Sequence, residues 1–156
     1  MASTYAEVLE LAVAIELECA ALYEVFAKRF AKHSEQVYFW RLYAEAERYH
    51  AASIRIHQAA LAAMGPTGEQ AYDGEAVAAR AFLEDVRGHR SRYEQEPLGI
   101  VDALRCARMV EEHSAELHGR TQFFTEIPEF GDILQKMAEE DRAHRDVLAS
   151  AEKRWA

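Results

Sequence analysis

Residues 43 to 50, YAEAERYH, and residues 137 to 144, MAEEDRAH, decide the fold predicted for this chain. Each stretch places an acid three residues before a histidine: Glu47 with His50, and Asp141 with His144. Residues three apart on an α-helix point to the same side of it. Each stretch therefore offers one carboxylate and one imidazole to a common point, which is a geometry suited to binding a metal ion.

A second pair of matching segments precedes these two. Residues 14 to 23 are AIELECAALY and residues 109 to 118 are MVEEHSAELH, so that Glu16 corresponds to Glu111. The offset is 95 residues from Glu16 to Glu111 and 94 residues from His50 to His144, which indicates two helical hairpins of one design in tandem. A lone Glu followed by an acid-x-x-His, found twice, is the ligand set of helical bundles that hold two metal ions.

In this order on four helical segments, the motifs resemble the rubrerythrin type of the ferritin-like di-iron superfamily, over about residues 5 to 64 and 98 to 154. The resemblance implies an all-α, ferritin-like four-helix bundle made of two helical hairpins. The apolar residues Val77, Phe82, Leu83 and Val86 predict an extra helix in the crossover, which is longer than that of a typical rubrerythrin. We expect one domain over residues 1 to 156. The implied ligands of two iron ions, with manganese as the other candidate, are Glu16, Glu47, His50, Glu111, Asp141 and His144.

Two of these ligands have competitors in the sequence. Glu18 also lies on a partly apolar helix face, although only Glu16 has a counterpart in the repeat. Asp141 is one methylene shorter than the glutamate usual in the family, and Glu140 is the substitute if Asp141 does not reach.

Three further side chains lie on the same helix faces. Tyr23 is expected to serve catalysis, by hydrogen-bonding the ligands and limiting stray radicals. His118 occupies the matching place in the second half, where it either donates a hydrogen bond to a ligand or is an ordinary core histidine. His57 is expected to be packed or exposed rather than a third imidazole ligand.

The proposed ligands interrupt otherwise apolar helix stripes. In the second helix the predicted buried stripe is Phe39, Leu42, Ala46, Glu47, His50, Ile54, His57 and Leu61. Because an unpaired buried carboxylate is strongly unfavourable, we expect these acids to be neutralised or bound to metal.

The ligand set indicates the chemistry. Four carboxylates balance two divalent ions, and oxygen ligands with one imidazole per metal suit iron or manganese. The resemblance implies a non-haem di-iron oxidoreductase, a rubrerythrin-like peroxidase that reduces hydrogen peroxide, or uses dioxygen, with electrons from a separate donor protein. Two alternatives stay open: a ferroxidase or iron-storage protein of the ferritin or bacterioferritin kind, and a degenerate bundle that serves protein contacts.

Composition agrees with a helical protein. Half of the 156 residues are hydrophobic, and only 7 glycines and 3 prolines are present. The net charge of −9 argues against nucleic-acid and anionic-membrane partners. Cys19 and Cys106 are isolated, so we expect reduced thiols and no rubredoxin-like Cys-x-x-Cys module. We expect a cytoplasmic homodimer or small homo-oligomer without a membrane span or a signal peptide.

Capping and breaking residues predict the helix boundaries. The first helix is expected from a cap at Thr4, with Glu7 as its partner, to about Ala31. The second is expected from a cap at Ser34 to Gly65-Pro66. The later helices are expected at about residues 73 to 93, from just after Pro97 to near Ile127-Pro128, and from about Asp132 onwards.

Overall fold

The computed structural model describes residues 3 to 65, 71 to 121, 125 and 127 to 156 of the chain, and within them it contains helices and no strand. The helices are α1 (Tyr5–Arg29), α2 (Ser34–Met64), α3 (Asp73–Gln95), α4 (Ile100–Thr121) and α5 (Pro128–Trp155). The predicted all-α helical bundle is confirmed.

Two of the predicted helix starts are corrected. The Thr4 side chain accepts a hydrogen bond from the Glu7 backbone N–H at 3.2 Å, which confirms the cap of α1. Ser34 is the first helical residue of α2, and the residue before it makes no side-chain cap, so the predicted cap was wrong. Helix α5 begins at Pro128 rather than near Asp132, because a proline in the first turn has no N–H that needs an intrahelical partner.

The end of α2 follows the prediction at Gly65. This residue has φ of +89°, a conformation that glycine adopts without steric penalty. Pro66 lies outside the described residues.

Contacts between side chains show the directions of the helices. Antiparallel packing of α1 on α2 follows from the ring contacts Tyr5–His57 and Tyr23–Trp40. Antiparallel packing of α4 on α5 follows from the contacts Arg108–Glu152 and His118–Asp141. The chain therefore forms two helical hairpins, as the repeat predicts.

The two hairpins pack so that α5 lies antiparallel beside α2. This arrangement follows from the ring contacts Tyr43–His144 and His57–Phe130. Since α5 is antiparallel to both α2 and α4, α4 runs parallel to α2. A connection across the length of the bundle is needed for that return, and α3 lies in it.

The crossover helix α3 runs alongside α1 in the same direction. Arg80 pairs with Glu7 near the start of α1 and Arg90 pairs with Glu18 further along it. Arg29 donates a hydrogen bond to the Tyr93 carbonyl at 2.8 Å. The predicted crossover helix is confirmed, but it lies along α1 rather than across the bundle.

The apolar interior has two clusters separated by a polar layer. One cluster contains Tyr23, Trp40, Leu104 and Leu148, and the other contains Leu9, Ile54, Phe130 and Leu134. Along α1, α2 and α5 the proposed ligands lie between these clusters. Cys19 and Cys106 are both buried. Within the described residues, no helix is both long enough and apolar enough to cross a membrane.

One residue of the predicted stripes is on the wrong side. Leu42 is 51% exposed, whereas Glu47 and His50 on the same helix are buried. Leu42 precedes Glu47 by five positions. At 100° per residue, this spacing places Leu42 about 140° around the helix from Glu47, on the side that faces away from the core.

Candidate metal centre

The structure brings all six predicted ligands together between the apolar clusters. Five of them are buried and His144 is partly exposed, with 26% of its side chain accessible. Two groups could each hold a metal ion: Glu16 with Glu47 and His50, and Glu47 with Glu111, Asp141 and His144. In each group the ligand atoms lie within 4.8 Å of one another, and Glu47 belongs to both groups.

His50 presents one ring nitrogen to both acids of the first group and to Asp141 of the second. Its Nδ1 lies 3.3 Å from Glu16 Oε2, 3.4 Å from Glu47 Oε2 and 3.6 Å from Asp141 Oδ1. This nitrogen makes no hydrogen bond in the structure. Ligand atoms held at about 2.1 Å from a metal stand roughly 3.0 to 3.4 Å apart in octahedral or tetrahedral geometry. The spacing around Nδ1 is therefore close to that of ligands around an ion.

The second group is built around Glu111. Its Oε2 lies 3.4 Å from Nδ1 of His144, and its Oε1 accepts a hydrogen bond from the Tyr23 hydroxyl at 2.6 Å. The Tyr43 hydroxyl donates to the His144 carbonyl at 3.0 Å. Two tyrosines therefore hold the carboxylate and the backbone of this group in place.

Buried polar atoms without hydrogen-bond partners concentrate in these two groups. Of the 14 such atoms in the described residues, eight belong to the proposed ligands: both carboxylate oxygens of Glu16 and of Glu47, Oε2 of Glu111, Oδ1 of Asp141, and Nδ1 of His50 and of His144. A buried polar atom without a partner is rare and unfavourable in a folded protein. A metal ion in each group would give these atoms a partner, so the donor set fits metal binding.

The electrostatics of the acids agree with this fit. Burial, followed by the charge of Glu111, raises the pKa of Glu47 well above its usual range. Burial also raises the pKa of Glu111, although the neighbouring His144 imidazole opposes this effect, and the charge of Asp141 adds to the rise. Without metal the cluster therefore resists carrying all of its negative charges.

His118 lies between two of the predicted ligands. Its Nδ1 is 2.8 Å from Asp141 Oδ2, and its Nε2 is 2.9 Å from Glu16 Oε1. The second contact is not a hydrogen bond, because the Nε2–H bond does not point at the oxygen. Burial alone would lower the pKa of His118, but the charges of Glu16 and Asp141 raise it to about 10. Burial alone would raise the pKa of Glu16, but the charge of His118 lowers it below its usual range. In the sequence, His118 was indicated by its place matching Tyr23 in the repeat and by its position on the same helix face as Glu111.

The structure separates Asp141 from Glu140. Asp141 is fully buried among the ligands, whereas Glu140 is 37% exposed. Oε2 of Glu140 lies 3.0 Å from Nε2 of His50, the nitrogen that faces away from the other acids. If this Nε2 carries the proton, Nδ1 is left free to bind metal. This role was not predicted, because it depends on how α5 is rotated against α2.

The structure also separates Glu16 from Glu18. Glu16 is fully buried in the cluster, whereas Glu18 pairs with Arg90 and Arg87 on α3. His57 is packed, with its ring stacked on that of Phe130, and it belongs to neither metal group.

No protein-family model, no curated protein and no solved structure matches this chain. The rubrerythrin resemblance therefore depends on the four motifs alone.

Proposed function

We propose that this chain is a ferritin-like, rubrerythrin-type protein that binds two iron ions and reduces hydrogen peroxide, or uses dioxygen, with electrons from a separate donor protein. The observation that carries the proposal is the sharing of Glu47 by two groups of buried ligands. A carboxylate common to two groups suits a bridge between two ions. The return of α4 parallel to α2 supports the ferritin-like arrangement.

The donor atoms favour iron or manganese. Carboxylate oxygens with one imidazole in each group suit these ions, and neither metal group contains a thiolate that would select a softer metal. Two such ions, when bound, would supply the two electrons that convert hydrogen peroxide, with two protons, into two molecules of water.

The residues around the ligands have positioning roles in this proposal. Tyr23 fixes Glu111 through its 2.6 Å hydrogen bond. His118 lies between Glu16 and Asp141, at 2.9 and 2.8 Å, and fixes the positions of both carboxylates. The apolar clusters above and below the polar layer exclude water, which strengthens electrostatic interactions inside it.

A small oxidant would approach from the side of α5. Among the proposed ligands His144 is the most exposed, with 26% of its side chain accessible, and Glu140, one turn earlier on α5, is 37% exposed. The other ligands are fully buried. Small molecules such as hydrogen peroxide fit this narrow approach better than large substrates do.

Anaerobic reconstitution with ferrous iron tests the proposal. We expect about two iron ions per chain and consumption of hydrogen peroxide in the presence of an artificial electron donor. Glu47→Gln should lose both properties, whereas Glu112→Gln, at an exposed position beside Glu111, should keep them. Well under one iron per chain in the native protein would refute the proposal.

A second candidate function is a metal-free bundle that serves protein contacts. It is favoured by the close pairing of histidines with acids, such as His118 with Asp141 at 2.8 Å and His50 with Glu140 at 3.0 Å, which can neutralise the cluster without metal. In that case neither iron nor manganese would bind at micromolar concentration. A native mass corresponding to a closed shell of many subunits would instead favour iron storage.

A further inference from the structure

Helix α2 carries an apolar strip on the side that faces away from the bundle. Its large members are Tyr38, Leu42, Tyr49 and Ile56, which are 67%, 51%, 63% and 72% exposed. Exposed alanines continue the strip at Ala52, Ala59 and Ala63. Contiguous exposed apolar surface of this kind marks an interaction site more often than scattered single residues do.

The strip has the spacing of a coiled-coil seam. One row repeats every seven residues and consists of Leu42, Tyr49, Ile56 and Ala63. A second row, offset by three or four residues, consists of Tyr38, Glu45, Ala52 and Ala59. Two rows with this alternation keep one face of a helix against a partner helix over several turns.

We propose that the strip is the interface with a second copy of this chain, with the two α2 helices packed antiparallel across a two-fold axis. In antiparallel pairing, each residue of one row lies opposite a residue of the other row. In the register in which the residue numbers of each facing pair add up to 101, every large residue of the strip except Ile56 lies opposite an alanine. The facing pairs are Tyr38 with Ala63, Leu42 with Ala59, and Tyr49 with Ala52, each formed twice.

The remaining pair explains the one charge in the strip. Glu45 of each copy then lies opposite Ile56 and beside Arg55 of the other copy. Arg55 is exposed and has no acidic partner within the described part of the chain, and Glu45 is exposed and pairs only with Arg48. Two Glu45–Arg55 ion pairs across the axis make the surface complementary to itself.

A parallel pairing would not have this complementarity. It would place Glu45 against Glu45 and Tyr49 against Tyr49, which opposes like charges and leaves the alanines facing one another. A symmetric dimer uses the same patch on both subunits, and the antiparallel arrangement satisfies that condition with attractive contacts.

The strip by itself supplies about half of the area of a standard dimer interface. From residue 38 to residue 63 the helix extends about 38 Å, and with a helix diameter of roughly 10 Å it offers about 400 Å² per copy. A standard interface buries about 800 Å² on each partner, so the flanks of the strip must contribute the rest. Val147 is an exposed apolar residue of α5, the helix that packs on α2 through His144 and Tyr43, and it is a candidate for this contribution.

Sedimentation analysis of the 156-residue chain and of two charge-reversal variants tests the pairing. The native chain, of 17.7 kDa, should sediment as a dimer at micromolar concentration. Glu45→Arg and Arg55→Glu should each raise the dissociation constant at least about tenfold, which corresponds to about 1.4 kcal/mol. The double reversal should restore the native value. Glu84→Arg, at an exposed position of α3, should leave it unchanged.

A cysteine near the axis gives a second readout. Ala52→Cys should form an intermolecular disulfide on mild oxidation, whereas Ala81→Cys, on the exposed face of α3, should not. The native cysteines are buried and should not interfere. A monomeric native chain at 50 to 100 μM, an order of magnitude above dimer dissociation constants of about 1 to 10 μM, would overturn the proposal. An oligomer that neither reversal weakens would overturn it as well. The pairing involves no metal ligand and does not depend on the proposed function.

Discussion

Replacing Glu47 by Gln should destabilise the metal-loaded protein and stabilise the metal-free protein. The amide has nearly the shape of the carboxyl group, so packing between the apolar clusters should be retained. What changes is the charge of a side chain that is 1% exposed and belongs to both metal groups. Replacing a residue that only supports the fold would shift the stability of the metal-loaded and the metal-free protein in the same direction.

The effect on the loaded protein follows from mass action. Metal that binds only the folded chain stabilises it by about 2.7 kcal/mol for each site when free metal is at 100 times the dissociation constant. For a domain of this size, 1 kcal/mol shifts the melting temperature by about 2 to 4 °C. Because Glu47 belongs to both metal groups, Glu47→Gln should lose both ions and lower the melting temperature of the loaded protein by about 10 to 20 °C.

The effect on the metal-free protein follows from the raised pKa of Glu47. Burial and then the charge of Glu111 raise this pKa, so the folded chain holds its proton more tightly than the unfolded chain does. The resulting stabilisation is complete below the ordinary glutamate pKa and is lost as the pH rises through the raised value. Each unit by which the pKa is raised corresponds to about 1.4 kcal/mol. Metal-free Glu47→Gln should therefore melt higher than the native chain at pH 7, and this advantage should vanish near pH 4.

Thermal melting followed by circular dichroism measures both effects. Each protein would be melted with a chelator and with ferrous iron under anaerobic conditions, between pH 4 and pH 7.5. Glu112→Gln is the matched control, since it removes one acid at an exposed position. If Glu47→Gln lowered the melting temperature equally with and without metal, Glu47 would be a structural residue and the reasoning would be wrong.

Three further predictions concern single residues. Oδ2 of Asp141 is engaged by His118, so only Oδ1 faces the other ligands. When metal-free protein is titrated with ferrous iron, the native chain should therefore bind it in two steps of different affinity, and Asp141→Glu should merge the two steps into one. Burial lowers the pKa of His57 to about 4. As the pH falls from about 6.5 to about 4, the native chain should therefore lose about 1 to 2 kcal/mol of stability relative to His57→Gln, after allowance for partial solvation. Urea melts of both proteins over this pH range measure the difference, and no divergence between them would show that His57 is solvated. Thr4→Ala should destabilise the chain by about 1 kcal/mol in the same melts, because it removes the cap on the Glu7 N–H, and an unchanged midpoint would contradict that role.

Local patterns in the sequence determined the helices and much of the candidate site. Helix periodicity and the pairing of acid with histidine three residues later depend on neighbours within one or two turns, so they are readable without the fold. The repeat also distinguished Glu16 from Glu18, because only Glu16 had a counterpart in the second half. The structure places both as that comparison predicts.

Only the tertiary structure decided how each helix is rotated about its own axis. Asp141 and Glu140 are adjacent and differ by about 100° around α5, and the packing of that helix turns the shorter acid inward and leaves the longer one against the outer nitrogen of His50. The same kind of rotation turns Leu42 outward, although its spacing alone allowed a place in the core. Helical spacing is a property of one segment, whereas rotation depends on the summed contacts with every neighbouring helix, which a single segment does not contain.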